Sequence, residues 1–245
     1  KGGGERKTAA VARWEAAVAA GDRTAAKKLG PQNAEYTREM VAETKRLFEL
    51  LGVTWVEAPM EAEGAAAVRC ARGEVDAVAS QDWDTLLYGA PVMVRNLTSH
   101  GTRRFGRMLQ AEKVVLADTL AKHDITHEQL VDLGIMIGTD FHPGIRGIGP
   151  KTGLKVIREY GTLEAVAEAK ECELPERVEE IRSLFLEHPT TPDALPPASH
   201  AVEEDLRAFL QEERGFSEGR VQRALDRLTG VAKLRSSSQP TLFDF

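Results

Sequence analysis

The sequence predicts an α/β fold in which helices flank a central sheet. Short apolar segments with strand character alternate with segments of helical periodicity through residues 32–138. Two of the strand-like segments run directly into a pair of acidic residues. Because ligands of open α/β sheets bind beyond the carboxyl ends of the strands, these acidic pairs mark the expected position of a functional site.

The predicted elements of this region follow from local patterns. Apolar side chains recur every three or four residues over Gln32–Leu51, which indicates a helix, and Gly52 is placed to cap it. Val53–Val56 reads as a buried strand that ends at the first acidic pair. The elements predicted after it are a helix at 64–71 and strands at 75–80, 92–97 and 113–116.

The second half of the chain is predicted to be mainly helical. Thr126 and Gln129 form a capping box for a helix that runs to Gly138. A glycine-rich turn at Gly144–Gly149 leads into a helix at 151–160, which Gly161 is expected to stop. This helix–turn–helix arrangement is typical of units that bind a DNA backbone, although a plain glycine turn is the alternative.

The ends of the chain differ from the middle in composition. Residues 1–31 are rich in Ala, Lys and Arg, and the helix predicted over Thr8–Ala20 has too few large apolar residues for deep burial. It is either a solvated helix or a limb that protrudes from the core. A proline-rich linker at 189–199 precedes helices at 202–212 and 217–229, the second capped by Ser217 and ended by Gly230.

Four carboxylates form two close pairs at the ends of predicted elements. Asp82 and Asp84 are expected on an extended backbone, where side chains two apart point to the same side. Glu61 and Glu63 fall where a helix begins and its amide groups are free. Clustered carboxylates indicate Mg²⁺ or Mn²⁺ rather than zinc. The alternative is that acidic residues simply favour helix starts and loops.

The composition says more about the cellular location of the protein than about its function. The chain has two cysteines without a paired pattern, no apolar run of about 20 residues and no secretory signal. We therefore expect no membrane association and a cytoplasmic location. The net charge of −6 disfavours nucleic-acid binding on average, but a local basic face remains compatible with it.

Three sequence blocks together resemble the signatures of the flap endonuclease family of structure-specific 5′ nucleases. They are Pro-x-Glu-x-Glu at 59–63, Ser-Gln-Asp-x-Asp at 80–84, and Gly-Thr-Asp at 138–140 followed by Gly-Ile-Gly-Pro-Lys at 147–151. The order and spacing are those of the family, and the resemblance covers nearly all of the chain. It implies a PIN-like nuclease core with a helical arch, a helix–hairpin–helix element and C-terminal helices.

The resemblance also implies site residues. Two Mg²⁺ ions, with Mn²⁺ as a substitute, would be held by Glu61, Glu63, Asp82, Asp84 and Asp140. Carbonyl groups of Gly144, Ile145 and Ile148 would hold a monovalent cation, usually potassium. The DNA-binding residues would be Arg6, Lys7, Arg13, Lys27 and Lys28 in the arch and Gly147, Gly149, Lys151 and Lys155 at the hairpin.

The last residues resemble the sliding-clamp interaction motif of that family. Gln239, Leu242 and Phe245 recur every three residues, and Phe243 adds a further apolar group. A short apolar motif at the end of a polar segment is typical of a sequence that binds a partner protein. The alternative is a chance match, and the second aromatic residue of the usual motif is absent after Phe245.

One part of the family pattern is missing. The family uses two further aspartates and an opening strand from a segment before the arch, whereas the first residue here is Lys1, at or beyond the start of the arch. We therefore expect either a truncated chain or a second piece that supplies these groups. This chain alone would then form an incomplete, nearly inactive metal site.

The predicted organisation follows from these assignments. It comprises a distal arch at 1–31, a nuclease core at 32–138, a DNA-binding region at 139–188, a linker with C-terminal helices at 189–232, and a tail at 233–245. The leading interpretation is an enzyme that cuts 5′ flaps of branched DNA during replication and repair. Such an enzyme would act near the nucleoid of a prokaryote or in the nucleus of a eukaryote. Two alternatives are a related 5′–3′ exonuclease or junction-resolving nuclease, and a clamp-tethered DNA-binding protein without nuclease activity.

Overall fold

The computed structural model describes residues 13, 16, 19–22, 37–99, 101, 103–104, 106–189, 194–197 and 199–236. The chain divides into two compact units. Unit 1 comprises Lys1–Trp55 with Pro196–Phe245, and unit 2 comprises Val56–Leu195. Residues 37–55, which the sequence analysis grouped with the nuclease core, therefore belong with the C-terminal helices, because helical periodicity does not reveal which partner covers the apolar face.

The regular elements of the described residues are mainly helical. The α-helices are α1 (Arg38–Leu50), α2 (Ala62–Ala71), α3 (Asp84–Leu87), α4 (Leu116–His123), α5 (His127–Ile137), α6 (Pro150–Tyr160), α7 (Leu163–Ala169), α8 (Val178–Leu186), α9 (Glu203–Arg207) and α10 (Glu218–Ser236). The strands are β1 (Val78–Ala79), β2 (Val92–Arg95), β3 (Arg103–Arg104), β4 (Arg107–Met108) and β5 (Glu112–Val115). No helix in this set is both long and apolar enough to cross a membrane.

A small mixed sheet organises unit 2. Its strand order is β1–β2–β5, with β1 parallel to β2 and β5 antiparallel to β2. Val78 pairs with Met93, and Met93 pairs in turn with Val114. Strands β3 and β4 form a separate two-stranded hairpin. Together with the surrounding helices, this sheet confirms the predicted α/β fold.

The strand predicted at Val53–Val56 is wrong. These residues have no regular secondary structure, and Val53 and Val56 are exposed rather than buried. A short run of β-branched residues becomes a strand only when another strand pairs with it, and no strand among the described residues does so here. The Thr54 hydroxyl instead donates to the Pro196 carbonyl within unit 1.

Helices α5, α6, α7 and α8 enclose the larger core of unit 2. Ile135, Met136, Ile157, Leu163 and Phe185 are almost completely buried in it. Each such side chain contributes about 1.5–3 kcal/mol when it is removed from water. Val78 of β1 also belongs to this core, and Ile145 and Ile148 of the glycine-rich turn pack against it. The core therefore fixes the positions of both the strand end and the turn.

An ion-pair network braces the same helices. Asp132 of α5 lies buried and accepts hydrogen bonds from both the Leu163 amide and the Arg182 guanidinium of α8. Arg182 also contacts Glu164 and Glu179. The pairing leaves no uncompensated charge at Asp132 and offsets the desolvation cost of its burial, while the network joins α5, α7 and α8.

The predicted capping box and glycine-rich turn are confirmed. The Thr126 hydroxyl accepts from the Gln129 amide, and the Gln129 side chain accepts in return from the Thr126 amide. Helix α5 ends at Gly138, and α6 begins after Gly149 with Pro150 in its first turn. Gly161 follows α6 with a φ of +89°, as expected of a helix stop.

Unit 1 packs α1 against the C-terminal helices. Leu206, Val221 and Leu225 form its buried centre, and Arg46 of α1 makes a bidentate ion pair with Glu213 at 2.6 and 2.7 Å. A π-helical turn at Ala208–Glu213 follows α9. The predicted end of the last helix at Gly230 is wrong, because α10 continues to Ser236. A single glycine costs only about 1 kcal/mol inside a helix, which its helix-forming neighbours offset.

Candidate active site

The aspartate pair of the site, Asp82 and Asp84, lies just beyond the carboxyl end of β1. The prediction that Asp82 and Asp84 share an extended backbone is wrong, since Trp83 has helical dihedral angles and Asp84 begins α3. The Asp82 carboxylate accepts the Asp84 amide at 3.0 Å, and Ser80 Oγ accepts the Asp82 amide at 3.1 Å. These side-chain contacts with the backbone start the helical turn directly after the strand.

The glutamate pair of the site, Glu61 and Glu63, lies at the start of α2, as the sequence predicts. Glu61 is the N-cap residue of α2, and Glu63 lies in its first turn. The Glu61 side chain makes no capping hydrogen bond with the helix. Its carboxylate is therefore held near the positive end of the helix without being used to satisfy the helix itself.

The fifth carboxylate, Asp140, is exposed on the loop after α5. The loop is braced around it: the Thr139 amide donates to the His142 carbonyl at 2.8 Å, and the Phe141 amide donates to Thr139 Oγ1 at 3.3 Å. The Gly144 amide donates to His142 Nδ1 at 3.0 Å. His142 is thus a structural member of the loop, and the brace holds the position from which Asp140 projects.

The electrostatics of Asp84 connect it with the other four predicted ligands. Burial, as the largest cause, raises the pKa of Asp84 from its ordinary 3.8 to about 6. Repulsion adds to this effect, and it comes from all four other predicted ligands: Asp82, Asp140, Glu63 and Glu61. Residues from three separate segments of the chain therefore share one electrostatic environment.

This carboxylate cluster fits a divalent cation in its chemistry. Its five members, residues 61, 63, 82, 84 and 140, supply the oxygen ligands that Mg²⁺ prefers, and within the described part of the chain none of them makes an ion pair with Lys or Arg. No ion pair within that part of the chain therefore offsets their mutual repulsion. Among the same residues, no three acidic, His or Cys side chains converge closely enough to hold an ion.

The raised pKa of Asp84 predicts a pH-dependent stability. A carboxyl whose pKa is higher in the folded than in the unfolded state stabilises the fold below pH 4, and this contribution is lost as the pH rises through about 6. In EDTA at pH 7.5, Asp84→Asn should therefore raise the free energy of unfolding by about 1–2 kcal/mol, after allowance for solvent screening. Thermal unfolding of both proteins from pH 4 to pH 8 measures the difference.

In that series, the gain in the free energy of unfolding of Asp84→Asn over wild type should be small at pH 4 and should grow between pH 4 and pH 6. Asp118→Asn is the matched control, because Asp118 lies exposed in the first turn of α4. It should show no such gain. A melting temperature of Asp84→Asn at or below that of wild type at pH 7.5 would contradict the repulsion argument.

Two aromatic residues that no sequence pattern singled out, Tyr88 and His188, are affected by the charges of the carboxylates. Tyr88 is buried, and burial followed by the charges of Glu61, Asp84, Glu63 and Asp140 strongly raises the pKa of its hydroxyl. It could have been found by its spacing, four residues after Asp84 across a helical turn.

His188 is the second missed residue. It is buried and meets Tyr88 edge-on, with ring centroids 5.1 Å apart, and burial lowers its pKa while the charge of Glu61 opposes the shift. A Cβ at Gly64 of α2 would collide with its ring. No local pattern could have identified this histidine, because its neighbours are more than 90 residues away in sequence.

The glycine-rich turn exposes the residues predicted to contact DNA. Lys151 and Lys155 are exposed, one helical turn apart at the start of α6. A Cβ at Gly147 or Gly149 would meet no atom of the described residues within 4 Å. The backbone is therefore open to close approach by a ligand, and the amide groups at the helix start suit an anion.

The three residues predicted to hold potassium lie on the inner side of the same turn. Gly144 has a φ of +85°, and a Cβ there would collide with the backbone of Ile137. The Ile145 amide donates to Met136, and the Ile145 carbonyl accepts the Ile148 amide at 3.0 Å. The turn is thus tied to the end of α5, while carbonyl oxygens retain a second lone pair for another contact.

The remaining predicted residues are mostly outside the described part of the chain. Arg13 is helical and exposed. The others are Arg6, Lys7, Lys27 and Lys28 of the arch and Gln239, Leu242, Phe243 and Phe245 of the tail.

Comparison with known proteins identifies the family. The XPG I-region family profile matches residues 52–140, which include all five carboxylates. Flap endonuclease 1 of Ignicoccus hospitalis is 38% identical over 243 residues, covering 97% of this chain and 69% of that protein. The matched region therefore includes the acidic pairs, the Asp140 loop and the glycine-rich turn.

Solved structures show the same similarity in three dimensions. Flap endonuclease-1 from Methanococcus jannaschii superposes with a TM-score of 0.70 at 31% identity, over 87% of this chain and 65% of that one. The Holliday junction-resolving enzyme GEN1, solved with product DNA and Mg²⁺, has a TM-score of 0.56 at 26% identity, over 74% and 51% of the two chains. The chain spans about two thirds of the length of the flap endonucleases that it matches. The chain belongs to the flap endonuclease 1 family.

Proposed function

We propose that this chain carries the carboxylate site of a structure-specific 5′ flap endonuclease, which hydrolyses a phosphodiester of DNA at the base of a flap. The proposal is carried by one observation: an aspartate pair directly beyond β1 and a glutamate pair at the start of α2 act, with Asp140, on the charge of Asp84 and raise its pKa. Family membership supplies the substrate class, because the alignment with flap endonuclease 1 of Ignicoccus hospitalis, at 38% identity, covers 97% of this chain. The reaction depends on a divalent metal.

The carboxylates of Asp82, Asp84, Glu61, Glu63 and Asp140 would hold two Mg²⁺ ions, directly or through water, and Mn²⁺ would serve as a substitute. When bound, the metal activates the attacking water and offsets negative charge on the phosphate. The contribution of the protein is to fix this acidic group at a strand end and a helix start. The braced Asp140 loop supplies the remaining ligand from the side of the glycine-rich turn.

Substrate choice tests the proposed function. The natural full-length protein is given three substrates of equal length and sequence, a 5′ flap, a nicked duplex and a four-way junction, with Mg²⁺ or with EDTA. Flap cleavage should be fastest and should require Mg²⁺. Preferred cleavage of the nicked duplex or the junction would favour the exonuclease or junction-resolving alternative, and binding without cleavage of any substrate would favour the DNA-binding alternative.

The glycine-rich turn is proposed to bind the duplex backbone beside the flap. Exposed Lys151 and Lys155 flank open glycine backbone at a helix N-terminus, and such sites bind phosphate without reading sequence. A potassium ion on the Gly144, Ile145 and Ile148 carbonyls is proposed to link this turn to the DNA. Gly147 and Gly149 would allow the phosphate to approach closely.

Replacement of Lys151 tests this binding mode. Lys151→Ala should weaken duplex binding equally across sequences and lower the log–log slope of affinity against salt by about 0.9, the value for one phosphate contact. Fluorescence anisotropy at several salt concentrations gives the slope. Lys122→Ala, at an exposed lysine of α4, is the control and should leave the slope unchanged. An unaltered slope for Lys151→Ala would show that Lys151 faces solvent in the complex.

The tail is proposed to dock into an apolar pocket of a sliding clamp through Gln239, Leu242, Phe243 and Phe245. Small interfaces of this kind obtain most of their binding energy from aromatic anchors. Phe245→Ala should therefore weaken clamp binding by about 2 kcal/mol, or roughly thirtyfold, while flap cleavage without clamp stays unchanged. Calorimetric titration of the clamp against wild type, Phe245→Ala and the control Thr241→Ala measures the affinities. Equal affinities would exclude docking through Phe245, and a parallel loss of basal cleavage would assign the tail to the nuclease instead.

A further inference from the structure

Trp83 is an exposed aromatic residue within the acidic site. It lies between Asp82 and Asp84 in sequence, and 50% of its surface is accessible. Large apolar side chains of the neighbouring segment are buried: Leu86, Leu87 and Tyr88 all lie in the core. The exposure of Trp83 is therefore a local exception in a segment that otherwise packs tightly.

Two interactions hold Trp83 in place, one at its backbone and one at its ring. Its backbone is fixed in a helical conformation by the hydrogen bond from the Asp84 amide to the Asp82 carboxylate. The guanidinium carbon of Arg95 lies 4.1 Å from the ring centroid and covers one face. Arg95 comes from the end of β2, which pairs with β1, so the same sheet positions the ring and the acidic pair.

The uncovered surface of Trp83 borders open space. Together with Asp84, the residue lines a cavity of about 500 Å³ whose other walls are mainly apolar. Among the described residues, no aromatic ring stacks on Trp83. Its ring contacts the Arg95 guanidinium instead. A planar, largely desolvated partner could therefore lie against the ring without displacing any part of the described fold.

The substrate offers one group that fits this surface. Trp83 and Asp84 line the same cavity, so a nucleotide whose phosphate lies at the Asp82 and Asp84 carboxylates can place its base in the space beside the Trp83 ring. A nucleobase is the planar apolar part of that nucleotide, and bases stack on aromatic side chains irrespective of their identity. Arg95, which also makes an ion pair with Glu112 at 3.8 Å, holds the Trp83 ring from the covered face and leaves the other face for a base.

We propose that Trp83 is a substrate-positioning residue on which the nucleobase next to the scissile phosphate stacks. This inference rests on the proposed function and deepens it. The stack orients the nucleotide that is being cut and does so without selecting its sequence. Trp83 takes no part in the chemical step, since its indole group neither accepts a proton from water nor ligates a hard cation.

A double-mutant cycle between protein and DNA tests the stack. The natural full-length protein and its variants Trp83→Leu and Trp83→Phe are compared on 5′ flap substrates that carry either a normal nucleotide or an abasic sugar beside the scissile phosphate. Single-turnover cleavage over a range of enzyme concentrations separates half-saturation from the maximal rate. Loss of the base should raise half-saturation for wild type by about 5- to 100-fold. Trp83→Leu should show a similar rise on the normal substrate and little further change on the abasic one.

The variants distinguish stacking from structural damage. Trp83→Phe retains an aromatic face and should recover most of the wild-type response to the base. Phe216→Leu is the matched control, because Phe216 is also an exposed ring covered by an arginine, Arg220 at 5.0 Å. It should leave the response to the abasic sugar as in wild type.

Two outcomes would overturn the assignment of Trp83. One is an equal response of wild type and Trp83→Leu to the abasic sugar, with cleavage intact, and the other is the same loss of response in Phe216→Leu. Failure of wild type to cleave any flap would instead contradict the proposed function, so the two failures are distinguishable.

Discussion

Asp84→Asn is expected to abolish flap cleavage by the natural full-length protein while its affinity for the flap stays nearly unchanged. Asp84 begins α3 directly beyond the sheet, and every other predicted ligand acts on its charge. Loss of one carboxylate from a metal site removes charge stabilisation worth several kcal/mol, so the single-turnover rate with Mg²⁺ should fall by about 10³-fold or more. The substitution keeps the size of the side chain, and therefore it tests the charge.

The matched control for this variant is Asp118→Asn, which neutralises an exposed aspartate in the first turn of another helix. It should cleave as wild type does. Cleavage by Asp84→Asn within tenfold of wild type would contradict its assignment to the metal site. Equal losses of cleavage and of flap binding would point to a role in DNA affinity instead.

Three glycine substitutions in the turn before α6 are expected to separate backbone strain from DNA contact. Gly144→Ala forces an unfavourable positive φ on alanine and places its Cβ against the Ile137 backbone, so the free energy of unfolding should fall by about 2–4 kcal/mol. Gly147→Ala has the same positive φ with open space around it and should cost about 1 kcal/mol. Gly149→Ala has neither defect and should cost about 0.5 kcal/mol.

Urea unfolding measures the three stabilities, and duplex binding is measured beside it. If the turn contacts the DNA backbone, Gly149→Ala should weaken binding more than its small effect on stability explains. Gly161→Ala is the control for a positive φ outside the turn. Equal stabilities of the Gly144 and Gly149 variants would contradict the described packing, and wild-type binding by Gly149→Ala would show that DNA does not approach this backbone.

Local patterns in the sequence predicted those elements that local interactions determine. The capping box at Thr126, the helix stop at Gly161 and the helix start at Glu61 all depend on contacts within a few residues. These features were correct for that reason. The placement of the acidic pairs beyond a strand and at a helix start was likewise predictable from alternating elements.

The errors in the sequence analysis have non-local or competing causes. The segment 53–56 has strand propensity but no pairing partner among the described residues, and propensity alone does not form a strand. Asp82 and Asp84 leave the extended conformation because the Asp82 carboxylate captures a backbone amide. His188 reaches Gly64 through the packing of α8, which no short pattern encodes.

Manganese binding tests the central claim most directly, namely that five carboxylates from three segments form one metal site. Free Mn²⁺ is followed by electron paramagnetic resonance during titration of the natural full-length protein and of Glu61→Gln, Glu63→Gln, Asp82→Asn, Asp84→Asn, Asp140→Asn and the control Asp118→Asn. We expect wild type and the control to bind two ions and each of the other five variants to bind Mn²⁺ more weakly, most of all Asp82→Asn and Asp84→Asn. Binding by all five variants with the affinity of wild type, or no binding by wild type, would contradict the claim.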